Sequence, residues 1–297
     1  LKIYRDALGI NKIFFLLKKK KIYISSNYLN LSKKTSQGDQ IYSCPPGNII
    51  SISKEKITKE KYDFIKKYNF SEKLYLNILK KKIQKELILV KKNFANHNFI
   101  ICLSSGHDSN LILTYAKKIL GKRVKICSFA YIENEKLKKN IEQNIEKNID
   151  LMSEDFKHAQ KISKILNIEF IPVFFSINDI KKNIKKIIFA CQDYRDFNVH
   201  CAIGNFFIGQ KLKKYKKNIV LTGDLMNEFF ADYHTELIGS KKYYIVPNID
   251  FKKKQKAFIV GLDTSDREIG VFHYHGIKLR QIFSVVRDLA ISIPEKK

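Results

Sequence analysis

Apolar segments alternate with amphipathic segments from residue 98 onward. Short runs rich in branched and aromatic side chains predict strands, and they lie at 98–103, 124–132, 168–175 and 218–223. Apolar residues at helical spacing predict the helices that follow these strands, at 110–120, 153–166, 177–190 and 200–215. Strands that alternate with helices predict an α/β fold, a Rossmann-like twisted parallel sheet with helices on both faces.

The rest of the chain gives weaker patterns. Residues 1–53 alternate short apolar runs with turns, whereas residues 54–96 are rich in Lys and Glu and end in an amphipathic helix. We therefore expect a short β-rich segment at 1–53, a helical connector at 54–96 and the main domain at 97–297. Within that domain, 133–148 predicts a loop or an exposed helix, and 276–293 predicts a partly helical segment.

The sequence LSSGHDS at 103–109 joins a predicted buried strand to a predicted helix. An open parallel sheet binds ligands beyond the carboxyl ends of its strands, where a helix N-terminus favours phosphate. Hydroxyl donors and a glycine that can adopt backbone angles closed to other residues suit a pyrophosphate there. These residues are Ser104, Ser105, Gly106 and Ser109. Asp108 would repel phosphate unless a divalent cation lay between them, so the loop indicates Mg²⁺. The alternative is a structural Ser or Asp N-cap.

A second polar loop follows the predicted strand at 218–223. Its carboxylates, Asp224, Glu228 and Asp232, are spaced by four residues, and Asn227 lies beside them. Carboxylates after a buried strand can bind a metal ion or relay a proton, and the last two share a face if a helix begins near 225. The alternative is the solvated acidic start of a helix, which the helix dipole stabilises.

The formal charge of +27 raises the question of a nucleic-acid partner. Arg occurs at only six positions, so 50 of the 56 basic residues are Lys, and they are spread over short runs. Nucleic-acid sites concentrate their basic residues in one patch or stripe, so we do not expect such a partner. The charge instead favours solubility and the attraction of anionic substrates such as ATP.

Cysteine usage and hydropathy indicate a cytoplasmic protein. The five cysteines form no CxxC pair, and Cys102 and Cys127 lie in apolar strands as buried thiols. No apolar run reaches the roughly 18 residues of a membrane span, so we expect no membrane partner. The chain begins without a signal peptide or an initiator Met, and we expect its natural N-terminus to lie upstream.

Both loops resemble motifs of one enzyme family. Residues 104–109 resemble the Ser-Gly-Gly-x-Asp-Ser signature of the ATP pyrophosphatase superfamily, with Ser105 in place of the first Gly. Residues 222–233 are similar to the Ser-Gly-Glu-Gly-x-Asp-Glu-Leu-Phe-x-Gly-Tyr segment of the asparagine synthetase family, with Asp224 replacing Glu and Asn227 replacing Asp. The resemblance implies an adenine nucleotide alpha hydrolase-like fold. It also implies an ATP-dependent ligase that adenylates a carboxylate and forms a C–N bond.

Weaker similarities extend over most of the chain. The segments 4–15, 23–27 and 44–50 resemble the end of the family's glutaminase domain, so 1–53 is interpreted as the C-terminal remnant of that domain. No cysteine stands at the start as the glutaminase nucleophile. The resemblance therefore implies that ammonia comes from glutamine through an upstream or separate glutaminase domain.

A further similarity lies near the end of the chain. Residues 275–294 resemble a Gly-x-Glu-x-Arg region of the family, with Lys278 in place of Glu and Arg280 matching Arg. The family has a basic residue before this region, and Arg267 is the candidate for contact with the leaving pyrophosphate. The alternative for Arg267 is a structural ion pair with a neighbouring aspartate.

The resemblance implies roles for the residues of both loops. Those expected to bind ATP are Leu103, Ser104, Ser105, Gly106, Asp108, Ser109, Phe129 and Gly223. The expected Mg²⁺ ligands are Asp108 and Asn227, and the expected catalytic residues are Asp224, Glu228 and Arg267. Asp193 is a further candidate to face the small-molecule carboxylate substrate, and a homodimer is one oligomeric state to consider.

Two other functions stay open at this point. A tRNA-modifying ATP pyrophosphatase would share the first loop and would use the positive charge. A degenerate module that binds ATP without catalysis would account for Ser105 and Asn227.

Overall fold

The structure of the chain is a computed structural model. The described residues are 1–6, 11–53, 56–62, 71–215, 217–226, 235–244, 265–287 and 289. Among them, no helix is both long enough and apolar enough to cross a membrane.

The N-terminal part consists of short antiparallel strands and one short helix. Its elements are β1 (Lys2–Tyr4), β2 (Phe14–Lys18), β3 (Lys21–Ser25), α1 (Tyr28–Ser32), β4 (Ile41–Ser43), β5 (Asn48–Ile52) and β6 (Ile57–Lys61). β5 pairs with β1 and β6, and β2 pairs with β3 and β4. The predicted β-rich segment is confirmed. The prediction of a helical connector from residue 54 is wrong at 57–61, because those residues pair with β5.

A helix connects this part to a region in which strands and helices alternate. The remaining elements are α2 (Glu72–Asn93), β7 (Asn98–Cys102), α3 (His107–Leu120), β8 (Val124–Ile132), α4 (Glu135–Gln143), α5 (Glu154–Leu166), β9 (Phe170–Ser176), α6 (Ile177–Cys191), α7 (Asp196–Leu212), β10 (Asn218–Thr222), β11 (Thr235–Ile238), β12 (Lys241–Tyr244), α8 (Ser265–Tyr274) and β13 (Lys278–Gln281). Short 3-10 helices lie at Gly121–Arg123, Glu146–Leu151 and Ile282–Val286.

The central sheet is parallel and runs in the order β13, β10, β7, β8, β9. From β7 the chain adds β8 and β9 on one side, and then returns to add β10 and β13 on the other. The strand order therefore reverses between β7 and β10. In open α/β sheets a crevice forms at the carboxyl ends of the strands at such a reversal, and ligands bind there.

Helices cover both faces of this sheet because its strands are apolar on both sides. Along β7, Phe99 and Ile101 face the core that contains α2 and α3. Ile100 faces the other way, into the core built with α6, α7 and α8. The predicted α/β fold is confirmed, and so is the prediction that 133–148 is a loop or an exposed helix, since it contains α4.

The structure extends the prediction near the C-terminus. The segment 276–293 is helical in part, at the 3-10 helix Ile282–Val286, but Lys278–Gln281 is the edge strand β13. Charged and apolar residues alternate in β13, and only its partner β10 distinguishes such a short strand from a loop. The sequence also gave no prediction of α8, whose interior contains Gly270.

Candidate functional site

The two loops singled out in the sequence meet in the structure. They follow β7 and β10, neighbouring strands on either side of the reversal in strand order. A Cβ placed on Gly223 would lie 2.9 Å from the backbone nitrogen of Ser109 and 3.3 Å from Cβ of Asp108. Real Cβ atoms essentially never approach other atoms to 2.9 Å. The second loop can therefore pack against the start of α3 only because residue 223 has no side chain.

Ser104 and Ser109 hold the first loop in its shape. The backbone N–H of Ser104 donates to Oγ of Ser109 at 3.2 Å, and the two hydroxyl oxygens lie 3.0 Å apart. The Ser109 hydroxyl also lies within hydrogen-bond distance of the carbonyl oxygens of Ser104 and Gly106, both at 3.2 Å. Since Ser109 is only 6% exposed, its side chain serves the loop itself.

Gly106 is the N-cap of α3 and has ordinary backbone angles, with φ −66° and ψ 148°. The expectation that it adopts angles closed to other residues is therefore wrong. The constraint on residue 106 is instead steric, because a Cβ at this position would lie 3.2 Å from Oγ of Ser104. The structural alternative of a Ser or Asp N-cap is also wrong, since no side chain makes a cap hydrogen bond at this helix.

Two residues of α5 support the first loop, and the sequence did not reveal them. Asp155 accepts hydrogen bonds from the backbone N–H and the hydroxyl of Ser105, at 2.8 and 2.6 Å. His158 Nε2 lies 2.9 Å from Oδ1 of Asn110. The Asn110 amide in turn donates to the carbonyl of Gly106 at 2.7 Å. The hydroxyl that distinguishes Ser105 from the family's glycine thus has a partner in this chain.

Each loop carries one half-buried carboxylate, Asp108 in the first loop and Asp224 in the second. The described residues contain no group of three or more His, Cys, Asp or Glu side chains that could hold a metal ion. Mg²⁺ is commonly bound through one or two carboxylates together with substrate phosphates. The pair is therefore compatible with a metal ion that shares its coordination with a nucleotide.

Several predicted residues cannot be compared with the structure. Asn227, Glu228 and Asp232 lie outside the described residues. Arg267 belongs to α8, but its side chain also lies outside the described part.

Leu103 and Phe129 occupy different environments at the sheet. The Leu103 side chain is 3% exposed in the core beside α2 and α3, so only its backbone can border a nucleotide. Phe129 is 40% exposed in the second half of β8. Its ring packs on α7, where a Cβ on Gly204 would lie 2.4 Å from a ring carbon. Phe129 thus offers an accessible aromatic surface for an adenine ring.

Asp193, the further candidate to face the substrate, lies in a group of hydrogen bonds at the start of α7. The Asp193 carboxylate accepts from Arg195 Nε at 3.0 Å and from Asn198 Nδ2 at 2.6 Å, beside the start of α7. Burial opposes ionisation of Asp193, but the hydrogen bonds from Arg195 and Asn198 outweigh it and lower its pKa to about 2.

Lys278 and Arg280, the two residues compared with the family near the end of the chain, both lie over the ring of Phe94, next to the end of α2.

A buried polar cluster lies beneath the second loop, and sequence reasoning did not find it. Thr222 and Gln281 are each 5% exposed, and Glu268 of α8 is 3% exposed. Gln281 Nε2 donates to Oε2 of Glu268 at 3.1 Å. Burial raises the pKa of the Cys102 thiol well above its usual value, and the Cys127 thiol and the carboxylates of Asp224 and Glu268 add to the shift. The thiol therefore stays protonated beside two carboxylates.

Comparison with known proteins identifies one family. The sequence model of the family described as asparagine synthase matches residues 91–262. No curated protein sequence matches the chain.

Solved structures of two NAD synthetases also match. The NH3-dependent NAD synthetase from Campylobacter jejuni, in complex with nitrate, has 18% identity and a TM-score of 0.31, over 54% of this chain and 61% of that one. The glutamine-dependent NAD+ synthetase from Acinetobacter baumannii, in complex with ADP, has 16% identity and a TM-score of 0.31, over 62% of this chain and 30% of that one. The match thus spans less than two thirds of either relative, and at these scores neither supports an argument about function.

Proposed function

The chain belongs to the asparagine synthase family, and we propose that it adenylates a substrate carboxylate with ATP and then transfers ammonia or another amine to the acyl group. The observation that carries the proposal is the meeting of the two loops at Gly223, between β7 and β10. This is the crevice in which an open α/β sheet binds its ligand. One loop suits pyrophosphate and the other carries carboxylates for the acyl half of the reaction.

The chemistry explains why ATP is required. A carboxylate is a poor acyl donor, because its leaving group would be an oxide ion. In the proposed first step, a carboxylate oxygen attacks the α-phosphorus of ATP and pyrophosphate leaves. In the second step, the lone pair of the amine attacks the acyl carbon and AMP leaves with the electrons of the C–O bond. Both steps need the reacting groups to be held close together and correctly oriented.

The first loop suits the phosphates. Backbone N–H groups at the start of α3 and the Ser104 hydroxyl would donate to pyrophosphate, with Ser109 maintaining the loop. Mg²⁺ when bound would neutralise charge on the leaving pyrophosphate. Asp108 would hold it, with Asn227 as the second ligand that the family resemblance implies.

The remaining roles follow from position. Leu103, Phe129 and Gly223 would border the adenosine. Asp224 and Glu228 would orient the substrate or accept a proton, and Arg267 would contact the leaving pyrophosphate.

We further propose a cytoplasmic setting and a glutaminase partner. The N-terminal strands would be the end of a glutaminase domain, and the ammonia would reach the synthetase site from that domain or from a separate subunit. A small-molecule carboxylate would be the acceptor, and neither a membrane nor a nucleic acid would be required.

The test is the exchange of ³²P-labelled pyrophosphate into ATP, with aspartate and a panel of other carboxylic acids. Exchange with one acid, lost in Asp108→Ala, is the expected result and identifies the substrate. If no acid in the panel supports exchange but ATP still binds, RNA becomes the proposed substrate. Tight and salt-dependent tRNA binding would support that alternative. If there is neither exchange nor ATP binding, the chain is a degenerate module without catalytic activity.

A further inference from the structure

The outer strand of the central sheet, β9, has a free edge. Its one partner among the described strands is β8. The backbone N–H of Ile126 in β8 donates to the carbonyl oxygen of Glu169 at 2.9 Å. Since successive residues of a strand direct their N–H and C=O groups to opposite sides, those of Phe170, Pro172 and Phe174 face away from β8. Pro172 suits this edge, because it has no N–H to leave unpaired.

The backbone groups at this edge are free to bind a ligand. The C=O of Pro172 and the N–H and C=O of Phe174 have no hydrogen-bond partner among the described residues. Two residues further along, the N–H of Ser176 also points away from β8 and donates to the Asp179 carboxylate at 2.8 Å. The edge at 172–174 can therefore exchange hydrogen bonds with another main chain.

A cavity of about 650 Å³ opens at this edge. It is lined by residues 172–174 of β9, by α4 from one face of the sheet and by α7 from the other. Phe207 of α7 adds apolar surface, and its ring stacks on that of Phe175 with 4.5 Å between the ring centroids. The volume is in the range of pockets that hold small molecules. Because β9 lies two strands from β7, the cavity is separate from the crevice between β7 and β10.

Two ammonium groups line the α7 side of the cavity. Lys211 and Lys214 form no ion pair among the described residues. The backbone N–H of Lys214 donates to the carbonyl oxygen of Lys211 at 3.3 Å, so both side chains start from one turn of the chain. Burial raises the pKa of the Cys127 thiol to about 12, and the charge of Lys211 opposes this rise. The Lys211 charge therefore acts toward the sheet, and this side of the cavity attracts carboxylates.

The α4 side of the cavity carries the opposite charge. Glu142 forms no ion pair among the described residues. Lys138, one helical turn earlier, is instead bound to Asp179 at 2.6 Å and to Glu135 at 3.5 Å. The Glu142 carboxylate thus remains as an acceptor for an ammonium group of a ligand, together with the C=O groups of the strand edge.

We propose that this cavity binds an acidic α-amino acid. The α-carboxylate accepts from the N–H of Phe174, and the α-ammonium group donates to its C=O, as a residue of a neighbouring strand would. Glu142 attracts the ammonium group, whereas Lys211 and Lys214 attract the two carboxylates. The second carboxylate distinguishes this ligand from neutral amino acids, since the cavity offers two ammonium groups. Binding here requires neither ATP nor the loops of the crevice.

Titration calorimetry with glutamate and with aspartate, in the absence of ATP, tests the site. Wild type should bind at least one of these acids. Lys211→Gln should raise the Kd for that acid about fivefold or more, because a charge-assisted hydrogen bond is lost. Lys213→Gln is the matched control, since Lys213 lies in the same turn but does not line the cavity. That variant removes the same charge and should leave the Kd unchanged.

Changes in the ligand test its separate groups. N-acetylglutamate lacks the ammonium group and glutamine lacks the second carboxylate, so each should bind about fivefold or more weakly than glutamate. In Glu142→Gln the preference for glutamate over N-acetylglutamate should decrease. Hydrogen exchange of the Phe174 amide, followed by NMR, should become slower when glutamate is bound.

Three results would overturn the site. The first is wild type that binds neither acid. The second is an equal loss of affinity in Lys211→Gln and Lys213→Gln, which would show an effect of overall charge. The third is binding that survives in Lys211→Gln but is lost in Asp108→Ala, because the ligand would then lie in the crevice.

Discussion

Gly223 is the residue on which the contact between the two loops depends. A Cβ at this position would meet backbone atoms of Ser109 and Asp108, at 2.9 and 3.1 Å. Backbone atoms at a helix start cannot move aside as a flexible side chain can. Any side chain at 223 must therefore push the second loop away from α3.

Gly223→Ala should reduce ATP affinity by about tenfold or more, because overpacking of this kind costs about 1–3 kcal/mol and 1.4 kcal/mol corresponds to a factor of ten. Titration calorimetry with Mg-ATP measures the change. Gly121→Ala is the control, since Gly121 has a φ of 66° but open space around it. That variant should lower thermal stability and leave ATP affinity unchanged, and a similar loss of affinity in both variants would contradict the account.

Ser105 and Asp155 form a second test at the residue scale. Ser105→Ala removes the 2.6 Å hydroxyl bond and keeps the 2.8 Å bond from the backbone N–H. In a double-mutant cycle with Asp155→Ala, urea unfolding should give a coupling free energy of about 1 kcal/mol or less, because the pair is exposed. Additive effects of the two substitutions would show that the hydroxyl bond contributes nothing to the loop.

The residues of the site were predictable from the sequence to different extents. Gly106 and Asp108 carry a compact motif, so their loop was found without any tertiary information. Glu268 and Asp155 carry no local signal, because each sits in an amphipathic helix whose charged positions look alike until the packing selects one. Gly106 was singled out for backbone angles closed to other residues, but its angles are ordinary, because a sequence motif does not specify the local backbone conformation.

At the scale of elements, the end of α8 packs against α7 through His275. A Cβ on Gly209 would lie 2.6 Å from Cδ2 of His275, and the imidazole lies 4.6 Å from the Phe206 ring. His275 is 8% exposed, and its Nε2 has no hydrogen-bond partner among the described residues. Burial, with a smaller effect from Lys213, lowers the pKa of His275 from 6.5 to about 4.

This pKa predicts acid sensitivity of the packing between α7 and α8. Below pH 6.5 the His275 side chain binds a proton in the unfolded chain, but in the folded protein it stays neutral until the pH approaches about 4. The free energy of unfolding therefore decreases as the pH falls from 6.5 toward about 4. His275→Leu should remove that part of the loss, because it has no proton to bind. Urea unfolding at pH 7 and at pH 5 measures the free energy of unfolding of each protein. An equal decrease in both proteins would contradict the assignment to His275.

Elements were predicted best where packing and local pattern agree. The helix α2 and the strands β7 to β10 have long or strongly apolar patterns, and the structure confirms them. The strands β6 and β13 were missed because their charged residues suit a solvent-exposed segment as well as an edge strand. Pairing with β5 and β10 decides those cases, and pairing is a tertiary property.

At the scale of the whole molecule, the order of strands creates the site. The two loops are more than 100 residues apart in the chain, from Asp108 to Gly223. The sequence predicted that both follow strands of a parallel sheet, but not that those strands are neighbours. The reversal between β7 and β10 makes them neighbours, so the loops that follow them lie at the same edge of the sheet.

The central claim is that a carboxylate oxygen attacks the α-phosphorus of ATP in this crevice. The most direct test uses the acid identified by exchange, labelled with ¹⁸O in its carboxylate, and mass spectrometry of the products after amide formation. Transfer of one ¹⁸O atom to each AMP is the predicted result, because the C–O bond breaks when the amine attacks. AMP without the label, or the label in inorganic phosphate, would contradict adenylation and with it the proposed function.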